Sequence, residues 1–147
     1  MSEQPILLVE DNKDDVELTL MAFAQGRITN PVVVARDGVE ALEYVFAEGR
    51  HAGRNTREQP VVILLDLKLP RLGGLEVLER LRADSRTKYI PVVILTTSTE
   101  EADKIRAGDL HVNSYVRKPV NFDAFLEVAR QMGLYWTLLN EAVPPRW

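Results

Sequence analysis

The 147-residue chain contains no cysteine. That excludes disulfides and thiolate metal centres and suits a reducing compartment, so a cytoplasmic location is expected. Only two histidines are present, His51 and His111. The first lies in a polar stretch and the second just before a short apolar run, so neither is placed as a general base or a metal ligand. No apolar run nears the length of a membrane span. The N-terminus lacks a basic segment followed by an apolar one, so no leader is expected. A basic excess is missing too: the formal net charge of −4 argues against a nucleic-acid partner. There is no GxxxxGK[ST] phosphate loop and no Ser/His/Asp set on a nucleophile elbow. Repeats and low-complexity segments are absent.

What is present is an alternation. Apolar residues make up 46% of the chain, enough for the core of one domain. Short runs at Ile6 to Val9, Val32 to Ala35, Val61 to Leu65, Val92 to Leu95 and Val112 to Val116 read as strands. The first four are continuous, which favours parallel strands covered on both faces. Between them the apolar spacing is helical. The expected buried stripes are Val16, Leu20, Phe23 and Ala24; Val39, Leu42, Val45 and Phe46; Leu75, Leu78 and Leu81; a weaker one at Ala102 and Ile105; and Phe122, Phe125, Leu126 and Ala129. The pattern is (βα)5, an α/β doubly wound parallel sheet. The domain is expected over 5–132, with an apolar C-terminal extension over 133–147. The polar, basic stretch at 47–60 reads as an exposed loop, either a solvated insertion or a partner contact.

In a parallel open sheet the C-terminal ends of the strands share one edge, where ligands bind. Here those ends carry Glu10 and Asp11, Asp66, Thr96 and Thr97, and Lys118. Three close carboxylates repel one another, and a hard divalent cation such as Mg²⁺ relieves the conflict. A buried Asp66–Lys118 pair without chemistry is the alternative, but it would not require Glu10 and Asp11. An Asp beside Mg²⁺ and a Lys can itself act as a nucleophile towards a phosphoryl group, with the two cations neutralising charge on the phosphoryl oxygens.

The segments "LLVEDN", "ARDGVEAL", "LLDLKLPRLGGLEVL", "IPVVILTTS" and "YVRKP" resemble, in order and spacing, the receiver domain of two-component response regulators, over nearly the whole chain. The resemblance implies a flavodoxin-like fold with strand order 2-1-3-4-5. It implies Asp66 as phospho-acceptor and Mg²⁺ held by Asp11 directly, Glu10 through water, Asp66 and the Lys68 backbone carbonyl. Lys118 would pair with the phosphoryl group. Thr96 would hydrogen-bond it, and Tyr115 would turn inward as Thr96 moves. The Lys118–Pro119 peptide is expected to be cis. Thr96 as a helix cap, Tyr115 as a fixed core aromatic and Lys68 as a surface cation are the plainer alternatives.

A narrower similarity, carried by "ILTTS", "LHVNSYVRKP", the long loop before the third strand and the apolar extension, is to single-domain regulators that partner bacterial and cyanobacterial phytochromes. It implies a sensor histidine kinase of phytochrome type as partner and a homodimer as the output form, built through Tyr135, Trp136, Leu138 and Leu139. A tail folded back on its own domain is the alternative. Two other classes are weighed: a Mg²⁺-dependent phosphatase, which the Lys at 68 disfavours, and an inert adaptor, which the full residue set disfavours. The expectation is a signalling protein limited to self-phosphorylation and slow self-dephosphorylation.

Overall fold

The structure, a computed structural model, describes residues 4–96, 114–118, 120–131, 133, 134 and 138. Its strands are β1 (Ile6–Val9), β2 (Val32–Ala35), β3 (Val62–Asp66), β4 (Val92–Thr96) and β5 (Ser114–Arg117). They form one parallel sheet in the order β2-β1-β3-β4-β5, as expected. The described helices are α1 (Lys13–Gln25), α2 (Gly38–Phe46), α3 (Gly74–Ala83) and α4 (Phe122–Gln131). The helix expected around Ala102 and Ile105 lies outside the described residues.

Strand alternation sorts the core into two layers. Leu7, Val9, Ile63, Leu65, Val92 and Ile94 pack with residues of α2 and α3. Ile6, Leu8, Leu64, Val93, Leu95 and Val116 pack with α1 and α4, where the Phe23 and Phe125 rings lie 4.7 Å apart. The helix stripes hold in part. On α1 the buried face is Val16, Thr19, Ala22 and Phe23, while Leu20 is 37% exposed and Ala24 is exposed. The Thr19 hydroxyl donates to the Asp15 carbonyl at 2.8 Å, so a polar residue enters the buried face without an unmet hydrogen bond. On α3, Val77 takes the buried place expected of Leu75, which is 43% exposed.

The 47–60 stretch is folded onto α2. A short 3-10 turn covers Gly49–His51. Arg50 pairs with Glu40 and Glu43 at 3.3 and 3.1 Å. The Arg54 guanidinium lies 3.6 Å from the Tyr44 ring centre and donates to the carbonyls of Tyr44 and Glu58. Gln59 Nε2 donates to the Val45 and Thr56 carbonyls. The insertion is therefore a fitted part of the domain.

Leu138, expected on an association surface, is instead 1% exposed and packs in the α1/α4 core layer beside Leu134. At that position the chain folds back on its own domain, because a leucine there buries more apolar area than an open tail would. Tyr135, Trp136 and Leu139 lie outside the described residues, as do Thr97, His111 and Pro119.

Candidate functional site

The same alternation that sorts the core builds the site. Ile6, Leu8 and Glu10 share one parity on the first strand, and Val62, Leu64 and Asp66 share it on the third. The register Ile6↔Val62 through Val9↔Leu65 brings Glu10 level with Asp66. Val116 belongs to the same layer, and Lys118 follows it by two. All three polar groups therefore emerge on the α1/α4 side of the edge.

Lys118 Nζ stands 2.5 Å from Glu10 Oε1, 3.0 Å from Asp66 Oδ2 and 3.2 Å from Asp15 Oδ2. Glu10 and Asp66 are buried at 1% and 6% exposure, while Asp11 is exposed. The Asn12 side chain caps α1 by accepting from Asp15 N–H at 3.0 Å, and Asn12 N–H donates to Glu10 Oε2 at 3.2 Å. The start of α1 thus holds the acidic residues and brings in Asp15, a third carboxylate on the lysine. Sequence reasoning missed Asp15, which lies in the first turn of α1, where an acidic residue is ordinary and signals no site. Lys68 N–H donates to Asp66 Oδ1 at 3.2 Å, and its side chain is exposed. Thr96 is buried at the end of β4 and its carbonyl accepts from Lys118 N–H at 2.9 Å. Tyr115 is half-buried and pairs in register with Ile94, so it shares parity with Thr96 and packs on the α2/α3 layer.

Burial is the largest influence on Glu10 and raises its pKa from 4.5 to about 7; the Asp66 carboxyl adds to this, while Lys118 and Asn12 N–H pull it down. Burial works against the Lys118 ammonium, but hydrogen bonds to Glu10 and Asp66 outweigh it and raise its pKa. A single ammonium among three carboxylates leaves excess negative charge. Oxygens of Glu10, Asp11 and Asp66 also lie within 4.8 Å of one another. Hard oxygen donors at that spacing fit a divalent cation such as Mg²⁺.

An open parallel α/β sheet with acids and a lysine gathered at the C-terminal ends of its strands defines a doubly wound protein that binds its ligands at that edge. The response regulator receiver domain family matches residues 6–130, and the chain belongs to that family. It is 40% identical over 140 residues to the probable methanogenesis regulatory protein FilR2 of Methanothrix harundinacea, covering 95% of this chain and 88% of that one. It is 36% identical to the response regulator Rcp1 of Synechocystis, covering 89% and 87%. A solved structure of Rcp1 in its Mn²⁺-bound form superposes with a TM-score of 0.72 at 34% identity, over 97% of this chain and 99% of that one. The bacteriophytochrome response regulator AtBRR superposes with a TM-score of 0.88 at 48% identity, over 96% of this chain and all of that one. Phosphoryl acceptance is the function of this family, whose members are signalling proteins paired with a sensor kinase, and its acidic residues bind Mg²⁺ or Mn²⁺. No helix among the described residues is long and apolar enough to cross a membrane.

Proposed function

We propose that this chain is a single-domain response regulator, with a receiver domain over 5–132 and an extension over 133–147, that takes a phosphoryl group from a histidine kinase onto Asp66. The observation that carries the reading is a carboxylate buried at the end of β3 with an ammonium 3.0 Å away and two further acids within reach. An Asp66 carboxylate oxygen attacks phosphorus, and the bond from phosphorus to the donor nitrogen or oxygen breaks with its electron pair leaving on the donor. Asp11, Glu10, Asp66 and the Lys68 carbonyl are the residues that would hold Mg²⁺. When bound, the cation neutralises charge on the phosphoryl oxygens. Lys118 exchanges a carboxylate contact for a phosphoryl oxygen. Thr96 donates its hydroxyl to the same group, and Tyr115, on the same side of the sheet as Thr96, follows that movement. Slow self-dephosphorylation completes the cycle.

The similarity to AtBRR, a bacteriophytochrome response regulator, supports a phytochrome-type kinase as donor. The cytoplasm is the expected location. A homodimer through Tyr135, Trp136 and Leu139 is the proposed output form, and sedimentation giving a concentration-independent monomer mass with and without phosphorylation would reject it. Intact mass after incubation with Mg²⁺ and acetyl phosphate tests the central claim. One phosphate adduct is expected in wild type; no adduct at long times, even with a kinase present, would overturn the assignment.

A further inference from the structure

Among the described residues, three non-glycine positions have positive φ: Arg27 at 60°, Ala47 at 53° and Arg71 at 66°. Two of them close helices. Arg27 N–H donates to the Ala24 carbonyl and Ile28 N–H to that of Phe23; Ala47 and Glu48 repeat the pattern on Tyr44 and Glu43. This left-handed ending satisfies the last helix carbonyls. Arg71 closes no helix. It is the centre of a three-residue turn in which Leu72 N–H donates to the Pro70 carbonyl at 2.7 Å. With a positive φ, this is the rarer and more strained form of that turn. A bulky side chain stays in such a conformation only where its surroundings hold it.

The surroundings are the N-terminus of α2. Arg71 Nη1 lies 3.2 Å from Asp37 Oδ2. The other oxygen of the same carboxylate, Oδ1, caps α2 by accepting Glu40 N–H at 2.7 Å. At the next residue, Gly38, a Cβ would stand 2.1 Å from the Leu72 carbonyl oxygen, so only glycine lets the loop dock this closely. The same loop begins at Asp66. Lys68 N–H returns to Asp66 Oδ1, and Gly74 N–H donates to the Leu67 carbonyl at 3.1 Å. A Cβ on Gly74 would stand 2.3 Å from the Asp66 carbonyl oxygen.

We infer that Arg71 and Asp37 form a clamp between the loop after β3 and the start of α2, and that both are positioning residues for phosphoryl transfer. The clamp holds Lys68 where its N–H orients the Asp66 carboxylate, and its carbonyl is among the groups that would hold the cation. Neither clamp residue touches the reacting atoms. The Arg71 side chain is half exposed while Asp37 is buried, so the ion pair is weak by itself; its leverage comes from acting on a short loop already pinned at both ends. The inference rests on the acceptor and cation reading of Asp66.

The test compares wild type with Arg71→Ala, Arg71→Lys and Asp37→Asn. Asn keeps a capping oxygen for α2 while removing the charge. Three quantities are measured: amide hydrogen exchange at Lys68, Leu72 and Gly74 in metal-free protein, Mg²⁺ affinity by calorimetry, and phosphate uptake from acetyl phosphate. Arg71→Ala and Asp37→Asn are expected to speed loop exchange, leave exchange in the β3 core unchanged, and weaken Mg²⁺ binding about tenfold, as loss of a ligand-orienting partner does. Arg71→Lys is expected to recover part of both. Loop exchange and Mg²⁺ affinity within twofold of wild type in both variants, with wild type binding Mg²⁺ and taking up phosphate, would overturn the clamp alone. A wild type that does neither would overturn the acceptor reading and the clamp's role with it.

Discussion

Two parts of this molecule are dense in charge, and they handle it in opposite ways. In the 47–60 insertion two arginines are compensated locally: Arg50 lies between Glu40 and Glu43, and Arg54 between an aromatic face and two carbonyls. At the strand edge a single lysine faces Glu10, Asp66 and Asp15, with Asp11 beside them. The first arrangement lowers the free energy of the fold. The second costs free energy that a bound cation or phosphoryl group would offset. Charge that is balanced at home is structure; charge left unbalanced and buried marks a candidate ligand site.

The largest test of this contrast is Asp66→Asn. Phosphate uptake is expected to fall to nothing by intact mass, and the rise in melting temperature on adding Mg²⁺ to shrink, because one charged ligand is gone. If Asp66→Asn still gains the adduct, the edge is not the acceptor. Next comes pH. The Glu10 pKa is raised in the folded state, so its contribution to stability is complete below 4.5 and is lost as pH rises through about 7. The loss is expected in metal-free protein, where no cation offsets the buried charge. Glu10→Gln is expected to flatten that slope in thermal melts, and an unchanged slope would assign it to another group.

Smaller effects belong to the insertion. Arg54→Ala removes a cation–π contact and two hydrogen bonds and is expected to destabilise by about 1–3 kcal/mol in urea unfolding, with phosphate uptake unchanged. A large loss of uptake would make the insertion part of the site. Arg50→Ala is the weakest change, within about 1 kcal/mol and diminishing in salt, since the arginine is half exposed.

Much of the candidate site was legible because its residues sit at strand ends, and strand ends are marked locally by where an apolar run stops. Glu10, Asp66, Thr96 and Lys118 each follow such a run. Asp15 was not legible, since a carboxylate in the first turn of a helix is ordinary there; only the approach of Lys118 across the sheet gives it a second role. Leu20 and Leu75 show the same limit from the apolar side. Helical spacing defines a stripe, but which edge of the stripe meets the sheet depends on how the helix is rotated when it docks.

The order of elements, the parallel class and the identity of the acids at the strand ends, Glu10, Asp11 and Asp66, were determined by the sequence alone, because each depends on residues near one another in the chain. The tertiary structure decided that Leu138 turns inward, that the insertion lies on α2, and that Arg71 reaches Asp37. Those outcomes depend on contacts between distant segments, and no local pattern encodes the angle and distance at which two packed elements finally meet.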